Sequence, residues 1–304
     1  MNALSVAGPD LTTYDTIIVA LSGGKDSVAC LCLLLEAGVD TSRIELWHHD
    51  VDGQGRGFMD WPSTLPYVQA LADAYGIPLY RSWRNGGFEA EMLRHDCPTG
   101  AVWFDTPFGM MSSGGNGPAG TRERFPQVSA DLSVRWCSSV LKIGVMDAAI
   151  RGQERFLGRR TLVLTGERAE ESPSRARYAV FEPHRSDTRA GTRRRRHVDH
   201  WRPVHNLATH AVWDILRRHR IVPALPYQIG FGRLSCMNCI FGSAAHFATI
   251  RFIAPDWFER LVAYERKFQC TIKRLMPLDV LADRGEVFEI VRQRPDLVAA
   301  ALAD

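Results

Sequence analysis

Thr16-Ile17-Ile18-Val19-Ala20-Leu21 runs directly into Ser22-Gly23-Gly24-Lys25-Asp26-Ser27 and then into the apolar-periodic stretch Val28 to Ala37. This order predicts a buried strand, a tight loop and an amphipathic helix, with glycines where the backbone turns closely and Ser27 in the first helical turn. Such a loop is suited to phosphate. Amides left unpaired at the start of the helix, the positive end of its dipole and the Lys25 ammonium would face one anion, and Ser22 and Ser27 add hydroxyl donors. The spacing is not that of G-x-x-x-x-G-K-[ST].

The chain has 304 residues, is 45% hydrophobic and carries a formal net charge of +3. That is long enough for a full core, and too weakly charged to imply nucleic acid by charge alone. No basic segment followed by an apolar one opens the sequence, and no run approaches the ~18 apolar residues of a membrane span, so a cytoplasmic protein with no membrane partner is expected. Seven scattered cysteines argue for thiols, metal or catalysis rather than a disulfide framework.

The loop Ser22–Ser27 resembles the pyrophosphate-binding SGGKDS loop of the ATP pyrophosphatases, the PP-loop group. The resemblance implies ATP with Mg2+, which Asp26 would help position, and cleavage between the α- and β-phosphates. AMP would pass to an acceptor oxygen, with pyrophosphate left in the loop.

A second strand from Arg43 to His49 leads to Asp50, where the carboxyl end of a parallel strand would place an adenosine beside the loop, with Asp50 or the neighbouring backbone as its contact. A helix over Trp61 to Tyr75 and a third strand over Ile77 to Ser82 complete a βαβαβ order. This predicts an α/β, doubly wound parallel sheet, Rossmann-like and of the adenine nucleotide alpha-hydrolase type. Residues 1–199 are expected as the nucleotide-binding domain, with a Gly-rich insertion over about 83–135 whose Pro107 to Gly120 stretch reads as a lid. Residues 200–304 are expected as a mainly helical C-terminal domain.

Arg135-Trp136-Cys137-Ser138-Ser139-Val140-Leu141-Lys142 opens a helix in which the dipole and Lys142 should lower the Cys137 pKa. This segment resembles the Cys-x-x-x-Leu-Lys signature of the sulfonucleotide-reductase branch, which places Lys142 in the nucleotide site. A Cys-Cys pair frequent in that branch is here Cys137 alone. Gly166-Glu167-Arg168-Ala169-Glu170-Glu171-Ser172-Pro173-Ser174-Arg175 resembles the same branch. There Gly166 would admit the nucleotide, Arg168 and Arg175 would meet phosphate, and Glu171 and Ser172 would line the site. Arg193 to Arg196 are read as a solvated loop or, beside a nucleotide site, a hold on a polyanion.

Cys236-Met237-Asn238-Cys239 can place two sulfurs on one ion, and with Cys137 makes three ligands. A [4Fe–4S] cluster with one open iron, a redox or persulfide trio, and zinc with a fourth ligand from Cys270, Cys97 or His246 all remain open. Cys30 and Cys32, inside the first helix, read as core thiols.

From Thr16 to Arg274 the motifs most resemble the ATP-pyrophosphatase components of bacterial DNA phosphorothioation systems. The resemblance implies an adenylating sulfurtransferase that replaces a DNA phosphate oxygen by sulfur, in a DNA-modification and phage-defence setting. A cysteine desulfurase would donate sulfur, other modification-system proteins would be partners, and a homodimer is among the expected assemblies. tRNA thiolation is the alternative. Reduction of sulfonucleotides fits less well, because the sequence given ends in Ala301-Leu302-Ala303-Asp304 without a cysteine nearby.

Overall fold

The computed structural model of the protein describes residues 8–54 and 57–303. An eight-stranded sheet organises it, in the order β5-β4-β3-β2-β1-β6-β8-β7. The parallel strands are β1 (Thr16–Ala20), β2 (Ile44–Asp50), β3 (Leu79–Arg84), β6 (Arg160–Leu164) and β8 (His197–Trp201). β4 (Val102–Thr106) and the short edge strand β7 (Phe181–Pro183) run against them, and β5 (Gly109–Ser113) returns from β4 in the parallel sense.

The central strands lack polar alternation because helices cover both faces. Ile17 and Val19 pack with Leu162 and Leu164 under α1 (Lys25–Glu36) and α2 (Thr64–Tyr75), while Ile18 and Val163 face the other layer. α2 stops at Gly76, which takes the left-handed cap at φ 62°. After β3 come α3 (Gly87–Met92) and the β4–β5 hairpin. An irregular stretch then leads to the single turn α4 (Trp136–Ser138), a π-helical turn over Ser139–Ile143 and α5 (Gly144–Gly152). α5 covers the second face with Val145, Met146, Ala149 and Ile150.

α6 (Thr209–Arg218) follows β8. The C-terminal helices are α7 (Leu225–Gln228), α8 (Ala244–Ile253), α9 (Pro255–Phe268), α10 (Leu278–Asp283), α11 (Glu289–Gln293) and α12 (Pro295–Leu302). α9 and α12 each start on a proline, whose missing N–H costs nothing in the first turn. Among the described residues no helix is long and apolar enough to cross a membrane.

The doubly wound sheet is as the sequence predicts, and two expectations differ from it. The insertion over 83–135 contains regular structure. Val102, Phe104 and Thr106 are buried in alternation with Trp103 and Asp105, a period-two signal only five residues long and ended by Pro107. The division at 199/200 cuts through β8, and α6 beyond it joins the sheet core through Val212, Ile215 and Leu216. The helical part in turn shares one core with earlier segments: Val51, Phe58, Phe88, Trp136 and Leu141 pack with Ile229, Phe247, Phe258 and Val291.

β1 has β2 on one side and β6 on the other, so crossovers leave it in both directions and a crevice opens at the carboxyl ends of these strands. The Ser22–Ser27 loop, Asp50 to Gln54, Gly57 to Asp60 and Gly166 to Arg175 all lie at this edge.

Candidate functional site

The phosphate loop is braced by its own serines. Ser27 Oγ donates to the Gly24 carbonyl at 2.9 Å and accepts from the Ser22 amide at 3.2 Å, and the two hydroxyls lie 3.2 Å apart. Gly23 turns at φ 78°, and a Cβ there would stand 3.1 Å from Leu234 and 3.2 Å from Val68. Gly24 is the N-cap of α1 and brings no capping side chain, which leaves the first amides of the helix to outside partners. The Lys25 amide donates to Tyr227 Oη at 3.1 Å. The amides of Asp26 and Ser27 have no hydrogen-bond partner among the described residues.

Lys25 Nζ lies 2.8 Å from Asp26 Oδ2, with only 7% of the lysine side chain exposed. Arg168 Nε takes the other oxygen of Asp26 at 2.6 Å. The remaining arms of Arg168 go to Glu170, the Leu207 carbonyl and Thr209. This corrects the expectation that Arg168 meets phosphate: its guanidinium is spent inside the protein, fixing the turn after β6 to the phosphate loop. Gly166 is required at that contact, since a Cβ would fall 2.7 Å from the Asp26 backbone and 2.8 Å from the Ser27 amide.

Glu171 accepts from the Arg168 amide and from Arg175, and Arg233 approaches it at 3.6 Å. Ser172 Oγ accepts from the Arg175 amide at 3.2 Å, closing a small turn. Arg175 and Arg233 keep a third and about half of their side chains exposed. Arg175 is held by Glu171, while Arg233 reaches the same carboxylate only at 3.6 Å. Arg233 and Tyr227 escaped the sequence reading, because nothing in their local pattern marks a segment that folds back over 200 residues onto the loop.

At the end of β2 the Asp50 carboxylate accepts from the amides of Asp52, Gly53 and Gln54. Its side chain shapes the loop, and it also lines the cavity at this edge. Asp52 does the same for Phe58, Met59 and Asp60. Burial nevertheless pushes the Asp52 carboxyl up to about 6. Beside them is a cavity of about 350 Å³ lined in part by His48, Asp60, Trp61, Arg81 and Trp83.

The thiols Cys137, Cys236 and Cys239 all act on the buried ammonium of Lys142. Cys236 raises its pKa most, followed by Cys137, Asp60 and Cys239. Lys142 thus lies within electrostatic reach of the three sulfurs and Asp60. Burial pushes the Cys137 thiol up and outweighs Lys142, the reverse of the lowered pKa expected from a helix start; the helical turn there is three residues long and followed by a π turn. Burial also pushes Cys236 well up. Asn238 pins the Cys236–Cys239 turn through bonds to Phe58 and Met59, and His246 Nε2 is spent on the Met237 carbonyl at 2.6 Å. Among the described residues no group of three His, Cys, Asp or Glu side chains is already drawn together around a single metal-ion position. Cys30 and Cys32 are fully buried core thiols, as expected.

Arg193 to Arg196 precede β8, at the amino end of the parallel strands. The Arg195 carbonyl accepts from Gly158, just ahead of β6. The phosphate loop follows the opposite ends, about 16 Å away for a five-residue strand at ~3.3 Å per residue. The placement of this run beside the nucleotide site is therefore corrected. Arg196 is buried and bonds the Arg151 carbonyl, so it is not a solvated side chain either.

Residues 116–241 match the model of the phosphoadenosine phosphosulfate reductase domain. A 37.8 kDa protein, described as uncharacterised and encoded in the gpa 5′ region of Escherichia phage 186, is 32% identical over 272 residues, covering 82% of this chain and 74% of its own. Among solved structures, a phosphoadenylyl-sulfate reductase from Candida auris in a phosphate complex is similar with a TM-score of 0.41 and 14% identity, over 77% of this chain and 86% of its own. The U34-tRNA thiolase NcsA from Methanococcus maripaludis, with its [4Fe–4S] cluster, is similar with a TM-score of 0.41 and 12% identity, over 95% and 87%. The domain match covers residues 116–241 of a chain built on a doubly wound sheet. The chain belongs to one family with the phage 186 protein.

Proposed function

We propose that the chain is an ATP pyrophosphatase that adenylates an acceptor oxygen so that sulfur can replace it. An acceptor phosphate oxygen attacks the α-phosphorus of ATP, the bond to the β-phosphate oxygen breaks, and pyrophosphate leaves into the Ser22–Ser27 loop. A sulfur nucleophile then attacks the acceptor phosphorus, and AMP departs with the oxygen. Lys25 and the free amides of Asp26 and Ser27 neutralise the charge that develops on the leaving pyrophosphate. Mg2+ arrives with ATP, and Arg175 and Arg233 are the guanidinium groups that turn toward the phosphates.

The observation that carries this reading is the convergence on one sheet edge of the phosphate loop and the three thiols. Leu234 lies against Gly23, two residues before Cys236, and Lys142 lies within electrostatic reach of the sulfurs and Asp60. Three half-buried soft ligands next to a cation fit a [4Fe–4S] cluster better than one hard ion. Cys137, Cys236 and Cys239 would hold it, and when bound it supplies an open iron for sulfur. The acceptor proposed is a DNA backbone phosphate, with a cysteine desulfurase persulfide as sulfur source and an external thiol as the two-electron reductant that releases that sulfur as the sulfide-level nucleophile.

The test has two readouts. Purified protein with ATP should release AMP and pyrophosphate, and digested DNA from expressing cells should contain phosphorothioate dinucleotides by mass spectrometry. Release of ADP and orthophosphate refutes the reading. Thiolated tRNA bases with unmodified DNA would move the acceptor to tRNA.

A further inference from the structure

α1 is twelve residues long and exposes its first amides at the phosphate loop, yet one of them is already taken by a side chain from far along the chain. Tyr227 Oη accepts from the Lys25 amide at 3.1 Å. The phenol is held in place by Trp213, whose ring meets it edge-on at 5.0 Å. From Tyr227 the chain passes Gly230 and Gly232 and returns over the loop, where Leu234 brings Cδ2 to 3.1 Å and its carbonyl to 3.5 Å of the positions a Cβ would take on Gly23 and Gly24. Tyr227 and Leu234 together form a clasp on the loop.

We propose that Tyr227 is a built-in competitor for the phosphate loop, displaced when pyrophosphate takes the Lys25 amide, so that loop occupancy is transmitted to the Cys236–Cys239 turn. The inference rests on the phosphate-binding reading of the loop and adds its regulation. A charged phosphate oxygen is a stronger acceptor than a neutral phenol, so the exchange favours the ligand. Displacing Tyr227 loosens the segment through Leu234, and Cys236 is two residues further. Arg233, about half exposed and 3.6 Å from Glu171, moves with the same segment and can follow the anion.

Inorganic pyrophosphate is the probe, applied to the full chain. Tyr227→Phe keeps the ring against Trp213 and removes only the phenol oxygen. The free state then loses a hydrogen bond that the bound state does not have, so calorimetry should show pyrophosphate binding about fivefold tighter. Hydrogen–deuterium exchange should rise across residues 229–240 when wild type binds pyrophosphate. In Tyr227→Phe exchange there should already be high without it. A merely structural tyrosine would lower the thermal midpoint without tightening binding. Unchanged or weaker pyrophosphate binding by Tyr227→Phe, or wild-type exchange at 229–240 that does not respond to pyrophosphate, overturns the competitor role while leaving the loop assignment intact. Wild type that fails to bind pyrophosphate at all overturns the loop assignment and this inference with it.

Discussion

Arg168 sets its Nε 2.6 Å from Asp26 Oδ1 and so locks the turn after β6 to the phosphate loop after β1. Only 4% of the arginine side chain is exposed. Losing one member of a buried pair leaves the other uncompensated, which costs about 3 kcal/mol. Lys25 still serves Asp26, so the low end of the usual range is expected. Arg168→Met should therefore lower the urea midpoint strongly, and Arg168→Lys should not restore it, because a single ammonium cannot also reach Glu170 and Thr209. A midpoint within experimental error of wild type would show that the lock is not needed.

Lys25→Ala separates chemistry from stability. Asp26 keeps its bond to Arg168, so the fold should lose no more than about 1 kcal/mol, the net value of one hydrogen bond. ATP-to-AMP turnover should fall about 100- to 1000-fold, as when one preorganised donor is removed from a developing anion. A urea titration reads the first number and product analysis by anion-exchange chromatography the second. Turnover near wild type would remove Lys25 from the reaction.

The loop and the central sheet were legible because their signals are local: Thr16 to Leu21 is apolar throughout, and Gly23 and Gly24 stand where only a close turn fits. The β4–β5 hairpin was not, since five alternating residues give too short a period to outweigh the glycines that follow. The role of Arg168 was misread for a different reason. Residue type shows that a guanidinium can bind a ligand, but not whether Asp26 takes it first. For Arg193 to Arg196 the charge run says nothing of which end of the sheet it occupies. Only the strand direction shows that they sit at the edge away from the loop.

Substitution of the thiols should divide them into two groups. Cys137→Ser, Cys236→Ser and Cys239→Ser should each abolish sulfur insertion while pyrophosphate binding survives, because Ser22 to Ser27 hold the anion without them. Cys30→Ser buries a hydroxyl among apolar neighbours and should cost about 1–3 kcal/mol with no specific effect on sulfur transfer. Mass spectrometry of the nucleic-acid product together with thermal melting distinguishes the groups. Normal sulfur insertion by Cys236→Ser would refute a shared thiol site.

Because Arg193, Arg194 and Arg195 are exposed at the sheet edge away from the phosphate loop, changing all three to Ala should leave pyrophosphate affinity unaltered. If these side chains hold duplex DNA, the slope of log affinity against log salt should flatten by at most about 2.7, about 0.9 for each lost phosphate contact. The loss should be even across DNA sequences, since phosphate contacts carry no base information. A salt titration of binding to two unrelated duplexes measures this. An unchanged slope would make the run a solvated loop.

Acid should destabilise the fold through histidines buried in neutral form. Burial is the main cause in each case, depressing His49 to about 3, His200 to about 2, and His184 and His246 to about 4. In the unfolded chain a histidine titrates near ~6.5. Between that value and the folded pKa the unfolded chain holds a proton that the folded one lacks, so stability rises with pH there and is fully present above about 6.5. Asp52 works in the opposite sense: burial raises it to about 6, so its contribution falls as pH rises from its unfolded value of ~3.9 through about 6. Four histidines outweigh it, and the urea midpoint should drop as pH falls from about 7 to about 5. His200 has Arg202 and His184 as further causes of its depression, and its Nε2 meets Thr165 Oγ1 at 2.7 Å. Replacing it by Gln keeps a polar partner for Thr165 and removes the titration. The variant should therefore lose stability less steeply than wild type over this range, by about 1 kcal/mol per pH unit near pH 5. A slope equal to that of wild type would show that His200 takes up its proton in the folded state.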